Sequence, residues 1–306
     1  MAILVTGAAG FIGSALSSRL VSLGHRVVGI DDLSSGKESN VISDVEFFNL
    51  GVEHVSVGFL EKYQIVSIAH LAGQSGASGS ESNPRDDLDR NIAGTLALVR
   101  AAAECQIRNL VFASSVAVYG DGDERDAFRE DDILRPMSPY GVSKIAAEHY
   151  CGLYQARTPL STFVSLRLFN TYGPGQDTET FEQGIFSIFL GQAVARGVIS
   201  VRGTAERLRD MVFIDDCVEA FVRALTFGSP GFHTFNVSTG AATSVGEIVS
   251  SIIGALPLTR VIWGEGSNYD PRVTIGDPSR IREILGWEPT VSFQSGASKT
   301  LSSVLD

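Results

Sequence analysis

The apolar run Ala2–Val5 leads straight into three glycines, Gly7, Gly10 and Gly13, and a helical apolar pattern begins at Phe11. Glycines at a strand-to-helix junction let the turn close and let the helix pack on the strand. They also bring backbone N–H groups, and with them the positive end of the helix, against a bound pyrophosphate. The G-x-x-G-x-x-G spacing differs from the G-x-G-x-x-G of the usual dinucleotide turn, so the weight rests on its position between strand and helix. Such a junction predicts a parallel α/β sheet.

The rest of the chain alternates in the same way. Strands are predicted at Ala2–Val5, Arg26–Ile30, Val45–Asn49, Ile65–Ala69, Asn109–Ala113 and Thr162–Leu168, with helices at Phe11–Leu23, Asp87–Cys105 and Pro139–Arg157. This is the pattern of a Rossmann-type doubly wound sheet. After Asn170 the pattern loosens around Gly173-Pro174-Gly175, with one more helix expected at 184–196. A smaller C-terminal substrate-binding lobe follows. Met211–Leu225 reads as strand then helix returning to the main sheet. Residues 1–170, with a return near 211–237, are thus expected to bind the cofactor, and 171–210 with 238–306 to form the second lobe.

Asp31 ends the second strand, 18 residues beyond Gly13, where a carboxylate accepts from both hydroxyls of an adenosine ribose. This favours NAD. A 2′-phosphate would meet Asp31 and Asp32 with no arginine beside them, although Lys37 keeps NADP as an alternative. Simple helix capping by the acid pair does not explain its position.

Tyr140 and Lys144 stand four residues apart after Pro139, which puts both side chains on one helix face. A tyrosine pKa near 10 must fall by about 3 units, roughly 4 kcal/mol, to supply a phenolate at neutral pH. A close ammonium and a positive nicotinamide ring favour that ionisation. Ser115 follows the Asn109–Ala113 strand, at the sheet edge where ligands bind. A lone Y-x-x-x-K is ordinarily a surface pair; downstream of a dinucleotide turn it reads as a proton-transfer pair.

Charge excludes other classes. With 24 Lys and Arg against 35 Asp and Glu, net −11, the chain lacks the clustered cations that binding to nucleic acid or an anionic membrane requires. Cys105, Cys151 and Cys217 are odd in number and widely spaced, which fits a reducing compartment. With no basic leader or apolar stretch near 18 residues, a cytoplasmic location is expected. The glycosylation-like triplet Asn236-Val237-Ser238 is therefore set aside. His25, His54, His70, His149 and His233 have no ligand spacing, so no metal is expected.

Six segments together resemble a known family. They are Val5-Thr6-Gly7-Ala8-Ala9-Gly10-Phe11-Ile12-Gly13, Asp31-Asp32-Leu33-Ser34-Ser35-Gly36, His70-Leu71-Ala72-Gly73, Ala113-Ser114-Ser115-Val116-Ala117-Val118-Tyr119-Gly120, Ser138-Pro139-Tyr140-Gly141-Val142-Ser143-Lys144 and Arg167-Leu168-Phe169-Asn170-Thr171-Tyr172-Gly173-Pro174. Over nearly its whole length the chain is similar to the extended short-chain dehydrogenase/reductases, and among them to UDP-sugar 4-epimerases acting on UDP-glucose or UDP-N-acetylglucosamine. The motifs are specific for the family and much less so for the reaction, because nucleotide-sugar dehydratases, decarboxylases and reductases share them.

The resemblance implies an NAD-dependent enzyme inverting C4 of a UDP-hexose through a transient 4-ketose. Ser115, Tyr140 and Lys144 would be catalytic: Tyr140 takes the proton of the 4-hydroxyl, Ser115 holds that oxygen, and Lys144 binds the nicotinamide ribose and lowers the tyrosine pKa. The cofactor would lie on Gly7, Gly10, Phe11, Ile12 and Gly13, with its adenosine against Asp31, Asp32, Leu33, Ser34, Ser35 and Gly36. Leu71, Ala72, Gly73 and Asn91 would flank it, Ala113, Ser114 and Phe169 would close its nicotinamide end, and Tyr140 and Lys144 would touch it there.

The sugar must swivel, so the family grips the nucleotide and diphosphate. Asn170, Arg209 and Arg272 match diphosphate contacts, and a guanidinium fork suits phosphate oxygens. Ser75 and Val201 match further substrate positions. Thr274 stands where bulkier residues exclude a C2 N-acetyl group, which leaves an N-acetylhexosamine open. Asp215 and Asp216 read as a helix-start acid pair.

Three departures from the family pattern matter. Leu50-Gly51-Val52 stands where an Asp near adenine is usual, so NAD would be held more weakly. Ser75-Gly76-Ala77-Ser78-Gly79-Ser80 replaces a bulkier loop. Val116 and Ala117 stand where dehydratases and decarboxylases carry an acid or base, which favours epimerisation over a 4-keto sugar reductase or an atypical dehydratase on a UDP- or dTDP-sugar. A redox-sensing protein that merely binds the dinucleotide would have no use for Ser115, Tyr140 and Lys144 together. In the resembling family the helices at Asp87–Cys105 and Pro139–Arg157 pair in a four-helix homodimer interface.

Overall fold

The computed structural model describes residues 1–122, 127–180, 183–266 and 270–305. Six strands form where the sequence places them, five of them rich in β-branched or aliphatic residues and the third an edge strand with two phenylalanines: β1 (Ala2–Thr6), β2 (Arg26–Asp31), β3 (Glu46–Asn49), β4 (Ile65–His70), β5 (Asn109–Ser115) and β6 (Thr162–Leu168). Among the described residues a seventh strand, Gly231–Val237, joins them beside β6. The order across the sheet is Gly231–Val237, β6, β5, β4, β1, β2, β3, with every neighbouring pair parallel. Order reverses at β1, which opens a crevice at the C-terminal ends of β1 and β4.

Both faces of the sheet are covered, which explains why its strands read as continuous apolar runs. Helix α1 (Phe11–Ser22) and the helix Ile214–Thr226 pack together on one face, around Leu16, Leu20, Cys217 and Phe221. The helices Thr95–Glu104 and Pro139–Gln155 cover the other, around Leu98, Ala102, Ala147 and Cys151. Pro139 starts its helix, and the Ser138 side chain caps it by accepting from the Gly141 N–H at 3.2 Å.

The strand read at Met211 differs from expectation. Leu208–Phe213 leaves the main sheet and pairs instead with Ala242–Ser244, Val273–Thr274 and Asn170–Tyr172. The return to the main sheet is made by the helix Ile214–Thr226, which packs on it, and by Gly231–Val237, which pairs in it. A second small sheet pairs Val198–Arg202 with Arg260–Gly264, and the helix Ile185–Arg196 packs on it. Asp216, in the first turn of its helix, is a buried anchor. Its carboxylate accepts from Thr290 and Val291 N–H groups, and its carbonyl accepts from the indole of the fully buried Trp287. The helix expected over Asp87–Cys105 is two helices: a π-helix, Asp87–Gly94, precedes Thr95–Glu104.

Candidate functional site

At the C-terminal edge of the main sheet a cavity of about 700 Å³ runs from the glycine turn to the start of the helix Pro139–Gln155. It is lined by Gly7, Gly10, Phe11, Ile12 and Gly13 at one wall, by Asp31, Asp32, Ser34 and Ser35 at one end, and by Ser115, Tyr140 and Lys144 at the other. Leu71, Ala72, Gly73, Ser75, Ala113, Ser114, Phe169 and Asn170 complete the part of the lining named from sequence.

Gly7 adopts φ +71°, and a β-carbon there would come within 2.8 Å of the Ala72 nitrogen. A β-carbon on Gly13 would collide with the carbonyl of Gly7. The turn is thus closed against its neighbours by the absence of side chains. Helix α1 opens with neither a side-chain cap nor an acid in its first turn, so its N–H groups are left for an anion.

At the end of β2 the Asp31 carboxylate accepts from the Ala9 N–H at 3.0 Å and the Leu33 N–H at 2.8 Å. Burial raises its pKa against the pull of those two bonds. Leu33 and Gly36 do not line the cavity; they fold around Asp31, the latter so closely that a β-carbon would lie 3.0 Å from Oδ2. Burial also works on Asp32, but the Ser34 hydroxyl and N–H and the Arg90 guanidinium hold its pKa below the usual carboxylate value. Arg90 donates to Asp32 Oδ2 at 2.9 Å and to Ser34 Oγ at 2.5 Å. This corrects the expectation that no arginine stands beside the acid pair: Arg90 lies within the stretch Asp87–Cys105 read as a helix, and only tertiary contact brings it to Asp32. Lys37 is bound to Glu179 at 2.8 Å and Asp177 at 3.7 Å, across the mouth of the cavity.

At the other end, Lys144 Nζ donates to the Ala113 carbonyl at 3.0 Å and lies 5.6 Å from the centre of the Tyr140 ring. Burial pushes Tyr140 up to about 12; a hydrogen bond with Ser115 works in the opposite direction and the charge of Asp87 adds to the rise. Burial takes Lys144 down to about 8. The lowering expected from a close ammonium and a positive nicotinamide ring is therefore not produced by the chain itself: burial dominates, and Lys144 is directed to the Ala113 carbonyl. His70 is structural, buried between Thr6 Oγ1 (2.8 Å) and Thr95 Oγ1 (2.9 Å).

Buried side-chain polar atoms without hydrogen-bond partners include Ser114 Oγ, Gln74 Oε1, Asn91 Oδ1 and Gln176 Oε1; Asn91, expected to flank the cofactor, stands behind Gly73 and does not itself line the cavity. Gln74 and Gln176 line the cavity and carry no motif by which sequence could have singled them out. Orphaned polar atoms, a turn that admits no side chain and an acid at the ribose position fit a dinucleotide.

Four of the sequence-chosen substrate residues lie outside this cavity, three in the small sheets and Arg272 just before the strand Val273–Thr274. Val201 is on Val198–Arg202, Arg209 on Leu208–Phe213, and Thr274, buried, pairs in register with Arg209. Arg272 donates its N–H to Asp121 at 2.9 Å. Arg209 donates to Asp270 at 2.5 Å, and Arg207 pairs with the same carboxylate. Burial lowers Arg209 to about 10, with Arg207 adding to the effect. Asn170 links the two regions: its amide donates to the Asp210 carbonyl, next to Arg209, at 3.2 Å.

Comparison with known proteins gives one family-level match. The model described as "NAD dependent epimerase/dehydratase family" matches residues 3–238. The chain is 38% identical to a UDP-glucose 4-epimerase of Mycolicibacterium smegmatis over 98% of its own length and 97% of that protein's. It is 30% identical to a dTDP-4-dehydro-6-deoxyglucose reductase of Escherichia coli, covering 99% and 97% respectively. A crystal structure of UDP-glucose 4-epimerase with UDP-glucose from Thermotoga maritima superposes with a TM-score of 0.91 at 32% identity, covering 100% of this chain and 99% of that one.

Proposed function

Because the chain belongs to the NAD-dependent epimerase/dehydratase family and uses NAD, we propose that it inverts C4 of a UDP-hexose through a transient 4-ketose. The observation that carries this reading is the lining of one cavity: Ser115, Tyr140 and Lys144 meet there, and the residues after Ser115 are Val116 and Ala117, which supply no acid or base for elimination. When bound along the glycine turn and Lys144, NAD would supply the hydride-accepting and hydride-returning chemistry at C4.

The chain's own groups do the rest. Tyr140 Oη, as phenolate, accepts the proton of the sugar 4-hydroxyl, and the Ser115 hydroxyl holds the same oxygen. Lys144 holds the cofactor ribose and adds positive charge beside the phenol. The resulting ketose turns about its diphosphate so that the opposite face of C4 meets the returning hydride, and Tyr140 gives its proton back to the C4 oxygen. Asn170, Arg209 and Arg272 hold the diphosphate; a bound anion competes with Asp270 for Arg209. Residues 1–170, with the return near 211–237, hold NAD, and 171–210 with 238–306 hold the nucleotide sugar. UDP-glucose and UDP-N-acetylglucosamine are both substrates to test, the modest Thr274 leaving the second open. Leu88, Val142 and Leu153, exposed on the helices Asp87–Gly94 and Pro139–Gln155, support a homodimer through that face, which sedimentation velocity measures.

Proton NMR of the purified protein with each sugar nucleotide in deuterated buffer tests the reaction. Galacto-type anomeric signals without deuterium at C4 are expected. No change in either sugar after NAD is supplied would overturn the reading. A requirement for added reduced cofactor would turn it toward a 4-keto sugar reductase, and release of an unsaturated product toward a dehydratase.

A further inference from the structure

The steps above leave one buried carboxylate unused. Asp87 is 2% exposed, and among the described residues no lysine or arginine pairs with it. Neutral groups hold it: Ser80 Oγ donates to Oδ2 at 2.6 Å and Asn91 Nδ2 donates to Oδ1 at 3.0 Å. Ser143 Oγ lies 3.4 Å from Oδ1 but donates its proton to the Tyr140 carbonyl at 2.8 Å. Burying a carboxyl group costs free energy unless it is hydrogen-bonded, and one of the groups that bond this one stands beside Gly73 at the cavity wall.

That group is Asn91. Its amide nitrogen faces three acceptors: Asp87 Oδ1, Ser143 Oγ at 2.9 Å and the Gln74 carbonyl at 3.2 Å. The amide can therefore sit only one way round. Its Oδ1 is buried with no partner and stands where a side chain at Gly73 would begin, in a space that Lys144 Nζ also borders. Both residues lie on the π-helix Asp87–Gly94, a form frequent at functional sites.

We propose that Asp87 is a positioning residue: it fixes the Asn91 amide so that Oδ1, beside Gly73 and Lys144, accepts from a donor in the nicotinamide half of bound NAD. Through Ser80 it also ties the segment Ala77–Ser82 to this hub. The inference rests on the cofactor reading of the cavity and is independent of which sugar reacts.

Charge supplies a second effect. Lys144 is faced by Tyr140, Glu148 and Cys151 on its own helix, by His70 on β4, by the Ala113 carbonyl on β5 and by Asp87. Burial works against its charged form, and Asp87 is foremost among the groups that favour it.

The test is calorimetric titration of nucleotide-stripped protein with NAD, without sugar, in the wild type, Asp87→Asn, Asn91→Ala and the double variant. Asp87→Asn keeps the shape and should weaken NAD about tenfold, as loss of a charge-assisted bond does. Asn91→Ala should cost a similar factor, and the double variant no more than either, because both remove one contact. The pH above which affinity falls should also move down in Asp87→Asn. Additive losses overturn the proposal. So does wild-type affinity and pH profile in Asp87→Asn, even with a lowered Tm. If Asp87→Asn does not fold, Asn91→Ala decides alone: a tenfold loss with Tm kept supports the proposal, and unchanged affinity overturns it. A wild type that binds no NAD overturns the cofactor reading instead.

Discussion

Lys144 Nζ donates to the Ala113 carbonyl across 3.0 Å, so the ammonium is tied to the end of β5 and not to the phenol of Tyr140. Burial holds that phenol up at about 12. The chain alone thus favours the un-ionised phenol at neutral pH, and under the proposed mechanism the positive charge that ionises it would come with oxidised NAD. Ultraviolet difference titration of wild type against Tyr140→Phe should show phenolate only in strongly alkaline solution for stripped protein, and near neutrality with NAD bound. The reduced cofactor should produce no such shift. Tyr140→Phe should retain NAD and lose about 10³-fold in kcat. Identical titrations with and without NAD would break this account.

Gly13 and Gly254 make opposite predictions from the same substitution. A β-carbon at Gly13 meets the Gly7 carbonyl, whereas Gly254, on the helix Val245–Ala255, has nothing within 4 Å. Gly13→Ala should cost about 3 kcal/mol through forced backbone movement and abolish NAD binding. Gly254→Ala should gain roughly 0.5 kcal/mol, because alanine loses less backbone freedom in a helix. Thermal unfolding of the two variants with and without NAD checks both signs. A Gly13→Ala protein that still gains stability from NAD would show that the turn does not hold the pyrophosphate.

Asp31 should set cofactor choice. Its carboxylate is fixed by Ala9 and Leu33 N–H groups, and Lys37, the cation nearest in sequence, is engaged by Glu179 and Asp177. Asp31→Ser should weaken NAD by tenfold or more, as loss of charge-assisted bonds to a ribose does, while NADP binding falls less or rises. The ratio of the two dissociation constants is the readout. Damage to the turn weakens both cofactors alike, whereas removal of the charge moves only the ratio.

The cofactor half was legible because its chemistry is local. Gly7, Gly10, Gly13 and Asp31 owe their places to one strand–turn–helix–strand unit, and Tyr140 and Lys144 to one helix turn. The strand at Gly231–Val237 was not legible, because its place is set by pairing with β6 across more than 60 residues and its four leading residues are only partly buried. The Met211 region misled for a related reason: Met211–Phe213 is as apolar and buried as a main-sheet strand, but Leu208–Phe213 pairs with Asn170–Tyr172, Ala242–Ser244 and Val273–Thr274 instead. Arg90, Gln74 and Asp87 were invisible because isolated polar residues gain meaning only from what tertiary contact puts beside them.

His70 should make the protein sensitive to acid. Its ring is enclosed between Thr6 and Thr95, and burial, aided by the nearby Lys144 charge, takes its pKa down to about 3 from an ordinary value near 6.5. Between those values the unfolded chain binds a proton that the native chain refuses, so native stability falls as pH falls. From pH 7 to pH 5 this group alone should remove about 2 kcal/mol. Urea unfolding at both pH values measures it. In His70→Asn the fall should shrink by that amount, although the variant is weaker at pH 7 for want of one hydrogen bond. Equal falls in both proteins would mean that the native ring takes up its proton as readily as the unfolded one. The location gives the effect functional reach. Thr6 precedes Gly7 and His70 precedes Leu71, Ala72 and Gly73, and Thr6 Oγ1 also accepts from the Leu71 and Ala72 N–H groups at 3.2 and 3.0 Å. Charging His70 turns its acceptor nitrogen into a second donor at the junction of both cavity walls, so NAD affinity should decline over the same pH interval as stability, and His70→Asn should flatten both.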